Sequence, residues 1–292
     1  MSDTPSRPPS GGRLPSAAAL LVAPFLLWNV TFVLLPLLSV LALSFHKMST
    51  DYEVLPGWSL DNFRQALQPA MLPTVEHSLL YACSTTALCM LLGYPLALFI
   101  ALYGGKNRSR YLILIVLPFW TSYLIRMSAW SNLLQTNGLI NSILLHLGWI
   151  SQPLQLLNRP ETVVLGLTYG FLPFATLPIY VSLEQLDRSL LDAANDLGAS
   201  PWHTFRTVIF PLSLPGVISG SLITFVPAMG DFVTPDLLGG PETQMIGNSI
   251  QQQFLSLFNW PFGSALSLLL MLFMTLSLVA YQKLVTEAVT RR

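Results

Sequence analysis

From Ala17 to Phe45 the chain carries no charged residue. Such a run exceeds the roughly 20 apolar residues that cross a bilayer as a helix. It also exceeds the about 7–15 residues of a signal-peptide core, and no small-x-small cleavage site follows it. The run therefore predicts a first transmembrane helix over 17–45, bent near Pro24 or Pro36. Five further apolar runs lie at about 77–103, 111–134, 163–183, 214–238 and 262–281. Each is near or above spanning length, so the expectation is an all-α polytopic membrane protein with six transmembrane helices. Composition agrees: 10% of residues are charged and 52% are hydrophobic, whereas soluble domains are about a quarter charged. The formal net charge of zero shows no basic footprint for nucleic acid.

Lysine and arginine predict the orientation. Ten fall on one side of the six runs: Arg7, Arg13, Lys106, Arg108, Arg110, Arg188, Arg206, Lys283, Arg291 and Arg292. Three fall on the other side, Lys47, Arg64 and Arg159, and Arg126 lies within a run. The positive-inside rule then puts both termini in the cytoplasm. The expected layout is a disordered Ser/Pro/Gly-rich tail over 1–16, a periplasmic loop over 46–76, a five-helix core over 77–283 and a cytoplasmic tail over 284–292. Within the core, 184–213 is a cytoplasmic loop.

That loop is too polar to be a span and too ordered to be a linker. Asp187 or Ser189 can cap a helix, because a short side-chain oxygen accepts orphan N–H bonds. Leu190 to Leu197 contains neither glycine nor proline. Gly198 follows as a C-terminal cap, and Ser200-Pro201 is a fresh N-cap with proline at the first helical position. The pattern predicts a helix, a tight turn and a second helix ending at Pro211. Ala193 and Ala194 leave a bare patch that another surface can approach closely. By residue chemistry alone, a loop that merely folds is an equal reading.

The loop reads Asp192-Ala193-Ala194, three residues, Gly198, nine residues, then Val208-Ile209-Phe210-Pro211. This resembles the Glu-Ala-Ala, three residues, Gly, nine residues, Ile-x-Leu-Pro motif in the membrane subunits of ATP-binding-cassette importers. Asp replaces Glu, Val replaces Ile and Phe replaces Leu, each keeping charge or apolarity. The resemblance implies a type I importer permease fold. It also implies that the hairpin is a coupling helix seated in a separate ATPase subunit. Asp192, Ala193, Ala194, Gly198 and Pro211 would carry that role. The stretches Leu117–Trp130, Asn137–Ile150, Pro227–Gly240 and Asn259–Ala265 resemble the spermidine/putrescine permeases. The implied partners are an ABC ATPase dimer, a second permease subunit and a periplasmic substrate-binding protein. Importers of thiamine, iron, opines or amino-acid-like solutes share parts of the pattern.

No catalytic constellation accompanies these features. Lys106 follows Gly104-Gly105, but Ile100 and Asn107 stand where a phosphate-binding loop needs Gly and Ser/Thr. ATP hydrolysis is therefore expected from a partner chain, and no cofactor is expected. The four histidines are scattered, Cys83 and Cys89 have neither metal spacing nor a shared helix face, and no Gly-x-Ser-x-Gly elbow exists. A membrane enzyme is thus disfavoured. A secondary transporter would favour inverted repeats and unwound helices, and no repeat is evident. Gly216 and Gly220 form a small-xxx-small pair suited to close helix packing. Arg126, Asp231 and Asp236 lie within or at the edge of spans, where ionisable groups are costly and mark function by default. They are candidate substrate-pathway residues. Equal depth along the third and fifth spans equally permits a structural Asp231–Arg126 ion pair.

Overall fold

A computed structural model describes residues 16–49 and 53–290. The expected tail over 1–16 lies almost wholly outside these residues. In chain order, α1 is Ser16–Asn29, α2 Leu35–Ser44, α3 Asp61–Ala66, α4 Leu72–Leu98, α5 Arg108–Val116, α6 Tyr123–Leu134 and α7 Leu139–His146. They are followed by α8 Pro160–Glu184, α9 Arg188–Asp196, α10 Pro201–Thr204, α11 Phe210–Gly230, α12 Val233–Leu238, α13 Ile246–Leu255 and α14 Trp260–Thr290. Two-residue strands β1 (Lys47–Met48) and β2 (Val54–Leu55) pair antiparallel, Lys47 opposite Leu55 and Met48 opposite Val54. In lipid every backbone polar group needs an internal partner, which is why the apolar runs are helical.

Five helices are long and apolar enough to cross a membrane, and a bent pair makes a sixth. That pair is the third run. It is not the continuous helix over 111–134 that its hydropathy predicts: Gly105–Trp120 and Tyr123–His146 meet at 87°. Thr121 and Ser122 are extended between them (ψ 151° and 138°). The fifth run differs too. Its helix starts at Pro201 and stops at Gly230, so 231–238 is not a continuation of the span. The core's last helix runs on to Thr290, through most of the expected tail over 284–292.

Pro211, expected to end the hairpin's second helix, does not end it: the helix runs from Pro201 to Gly230. Pro36 and Pro211 each follow a π-helical segment, Val30–Leu34 and Phe205–Ile209. The amides of Leu35 and Phe210 bond five residues back, to Val30 and Phe205. A π turn absorbs one extra residue, which relieves the clash a proline otherwise makes with the preceding turn. The second arm of the hairpin therefore flows through Pro211 into α11 without a stop.

The bundle centre is α4, α8 and α11, while α14 packs on α2 and α13. Close approach of α11 to α8 depends on the glycine pair. A Cβ at Gly216 would lie 2.6 Å from the Pro178 carbonyl, and one at Gly220 would lie 2.8 Å from that of Ala175. Small residues let backbones meet in lipid, where no hydrophobic effect drives helix association. The first half of the first span is bare, with Phe25, Trp28 and Phe32 exposed on α1 and the π segment, whereas its second half, α2, packs on α14.

Outside the spans, Asn62 of α3 donates to the carbonyls of Ser44 (2.9 Å) and His46 (2.7 Å), tying the loop to the end of α2. Lys47 pairs with Asp61 at 2.8 Å, and hydrogen bonding from Lys47 holds the Asp61 carboxyl below its ordinary range.

Candidate functional site

Two clusters stand at opposite ends of α11, about 30 Å apart at 1.5 Å per residue over its 21 residues. The first is the hairpin. Asp187 caps α9 by accepting from the Ser189 amide at 2.9 Å, and that amide holds the Asp187 carboxyl below its ordinary range. Gly198 turns the chain with φ +74°, the left-handed conformation that favours glycine. Ser200 accepts from the His203 amide at 3.3 Å and starts α10, with Pro201 in the first turn.

The hairpin is anchored on one side and bare on the other. Leu186, Leu191 and Phe205 pack on a buried cluster that includes Ile100, Ile179 and Leu183. At its outer surface Leu197 is 87% and Trp202 69% exposed. A force on the bare face would therefore be carried by packed side chains into α4 and α8. Asp192, Ala193 and Ala194 lie on α9, Gly198 in the turn and Pro211 in the first turn of α11. Arg108 approaches Glu184 at 3.6 Å beside this hairpin base, a half-exposed pair of small energetic weight.

The second cluster lies where both broken spans break. Asp231 occupies the gap between α11 and α12, extended at φ −67°, ψ 135°. Its Oδ1 accepts from the Val233 amide at 3.0 Å, which caps α12. Its Oδ2 accepts from Tyr123 Oη at 2.8 Å and from Thr234 Oγ1. Tyr123 Oη and Thr234 Oγ1 also lie 2.6 Å apart. Two hydroxyl protons thus serve three close contacts. Tyr123 is the first residue of α6, directly after the kink in the third span. The segment after the fifth span closes over the gap. Asn248 donates to the Phe232 carbonyl at 2.9 Å and accepts from the Met245 amide at 3.1 Å. Ser78 of α4 accepts from the Ile246 amide at 2.7 Å.

The Asp231–Arg126 ion pair that equal depth permits is not formed. Among the described residues the ion pairs found are Lys47–Asp61 and Arg108–Glu184. Depth counting failed because neither residue sits in a straight span. Arg126 instead lays its guanidinium over aromatic rings, 4.2 Å from the Phe119 centroid, 5.5 Å from Tyr123 and 5.9 Å from Tyr169. Its Nε and Nη1 are buried and make no hydrogen bond. Asp236 stands apart, exposed on α12. Tyr123, Thr234, Asn248 and Ser78 were not singled out in the sequence. The signal that marks the break is Gly230-Asp231, a helix stop followed by a capping residue, with Pro235 in the next first turn.

Residues 93–291 match the family of binding-protein-dependent transport system inner membrane components. The chain belongs to this family. It is 43% identical over 254 residues to the spermidine/putrescine transport system permease protein PotB of Escherichia coli, covering 87% of this chain and 92% of that one. It is 40% identical over 257 residues to PotB of Haemophilus influenzae, covering 88% and 90%. The fold is similar to that of a bacterial ABC transporter involved in alginate import, at TM-score 0.74 and 16% identity, covering 92% of this chain and 94% of that one. The chain is thus a multi-pass inner-membrane permease component of ABC-importer type, a class without its own ATPase site. Unwound segments in the third and fifth spans are therefore no mark of a secondary transporter here.

Proposed function

We propose that this chain is one of two membrane subunits of an ATP-driven importer of polyamines. The observation that carries the reading is the 43% identity spread over 87% of the chain. That breadth takes in the stretches outside the shared hairpin motif, which speak for the solute. In this reading both termini and the hairpin face the cytoplasm, in keeping with the ten-to-three split of lysine and arginine. The bare hairpin face, with Asp192, Ala193, Ala194 and Gly198, seats in a partner ATPase dimer. Pro211 lets the second arm pass its motion into α11. A second permease subunit completes the pathway, and a periplasmic binding protein delivers the solute to the far end. Asp231 lines the path there and replaces part of the water that an ammonium group loses; Asp236 marks the outer interface.

The test is uptake of labelled putrescine and spermidine by cells carrying the whole operon, with competitors. Polyamines should block uptake of the label. Block by a neutral sugar or an anion, and not by polyamines, would refute the solute while leaving the importer class intact.

A further inference from the structure

Arg126 is held in an unusual way for a half-buried cation. Asp231 accepts three hydrogen bonds, none from Arg126. Two of the guanidinium nitrogens have no acceptor at all. What surrounds the charge is a set of rings, with Phe119, Tyr123 and Tyr169 all within the roughly 6 Å at which a cation feels a ring face. Ring faces recognise alkylammonium groups by the same attraction. The Tyr123 ring that forms one wall also reaches Asp231 through its hydroxyl, so a carboxylate borders the cage.

One wall of the cage, Tyr169, is shared with a groove. Tyr169 lies edge-on to Trp130 at 5.5 Å between centroids. Both line this groove of about 660 Å³ between α4 and α8, together with Tyr81 and Glu161. Glu161 is exposed in the first turn of α8. The groove is otherwise lined mainly by leucines, so its marks for a cation are the rings of Tyr81, Trp130 and Tyr169 and the carboxylate of Glu161, while Asp231 borders the cage through Tyr123. Acids and ring faces suit an ammonium group. They suit an anion poorly.

We propose that the Phe119–Tyr123–Tyr169 cage is an ammonium site of the transport path, and that Arg126 is a tethered cation occupying it at rest. An arriving polyamine ammonium displaces the guanidinium, which gives up no hydrogen bond in leaving from Nε or Nη1. Arg126 thereby keeps the site filled when no substrate is present. This rests on the polyamine reading above.

The test is equilibrium dialysis of labelled spermidine against the purified importer without its binding protein, alongside uptake in cells. Arg126→Gln removes the resident competitor, so spermidine should bind roughly tenfold tighter, the worth of about one good cation–π contact. Adding Tyr169→Leu to that variant should erase the gain. Equal binding by wild type and Arg126→Gln overturns the proposal, as does a gain that survives Tyr169→Leu. Phe119→Leu, which leaves Arg126 and Asp231 in place, gives a second reading should Arg126→Gln fail to assemble. Uptake per ATP hydrolysed should then fall severalfold at a normal subunit level, and unchanged uptake overturns the proposal. If the wild-type importer takes up no polyamine, the solute assignment fails instead.

Discussion

The two ends of α11 are built by different rules. At the hairpin end the hydrogen bonds are local: Asp187 holds an amide two residues on and Ser200 one three residues on. At the far end Asp231 is held by Tyr123 at a separation of 108 residues, and the Ile246 amide by Ser78 at 168. The hairpin can thus form from its own sequence and needs the bundle only as an anchor. The far end exists only once α4, α6, α11 and α13 have assembled. Damage to the first should cost coupling and spare the bundle, whereas damage to the second should cost both.

Asp231→Ala should have the largest effect. It strips the acceptor from Tyr123, Thr234 and Val233 together, at roughly 1–3 kcal/mol for each donor left unmet in a buried site. The midpoint of thermal unfolding in detergent should drop, and uptake should fall at least tenfold. Asp231→Asn keeps the shape and an accepting oxygen, so it should lower uptake more than subunit level. Wild-type uptake by Asp231→Asn would reduce the far end to a structural brace, with no carboxylate in the path.

Gly198→Val comes next and probes the other end. A Cβ there meets nothing within 4 Å, so the damage is confined to backbone strain at φ +74°. That strain costs roughly 1–2 kcal/mol for an L-residue with a side chain, more for a β-branched one. Co-purification of the ATPase should weaken severalfold, or its hydrolysis should uncouple from uptake, while the unfolding midpoint stays near wild type. A midpoint falling as far as in Asp231→Ala would erase the distinction between the two ends.

The same contrast decides what could be read in advance. Asp187, Gly198 and Ser200-Pro201 act through neighbours in sequence, so a local reading places the caps and the turn. Gly216 and Gly220 are legible as a packing pair because small residues in lipid have few other uses. The hydropathy of 111–134 and 214–238 marks spans yet hides both breaks, since a bilayer-length average does not register two extended residues at Thr121-Ser122 or one at Asp231. Depth counting from straight helices then paired Asp231 with the wrong side chain. Tyr123 and Thr234 are unremarkable in sequence. They matter only because two breaks fall side by side in space, a fact carried by tertiary contacts. The stop at Pro211 failed for a different reason: the π turn at Phe205–Ile209 leaves no residue-type signature.

Tyr123→Phe should sharpen the far end at smaller cost. The ring stays beneath Arg126, and Asp231 still accepts from Thr234 and Val233. Only one hydroxyl is lost, worth about 0.5–1.5 kcal/mol, so the unfolding midpoint should fall by a few degrees. ATPase association at the hairpin should be untouched. An equal loss of ATPase binding would mean that the two ends are not separable.

Asp187→Asn should give the smallest change, and pH gives it a direction. The Asp187 carboxyl is lowered from the ordinary value of 3.8 chiefly by the Ser189 amide. A carboxylate whose folded value is depressed stabilises the folded hairpin above its unfolded value, and that contribution fades as pH falls through the folded one. The cap is thus fully in force at neutral pH and weakens only in acid below the ordinary aspartate range. Asparagine also caps helices well, but it lacks the charge that favours a helix N-terminus. Hydrogen exchange of the importer in nanodiscs should show slightly faster exchange in the first turn of α9 for Asp187→Asn at neutral pH. The gap between variant and wild type should close as the solution is made acid, because the wild-type carboxylate is then neutral as well. Amides around Asp231 and Asn248 should be indifferent throughout. A gap that persists in acid would mean that geometry rather than charge makes the cap. A change at Asn248 would mean that the hairpin does not fold as a local unit, and the contrast between the two ends of α11 would fail at its root.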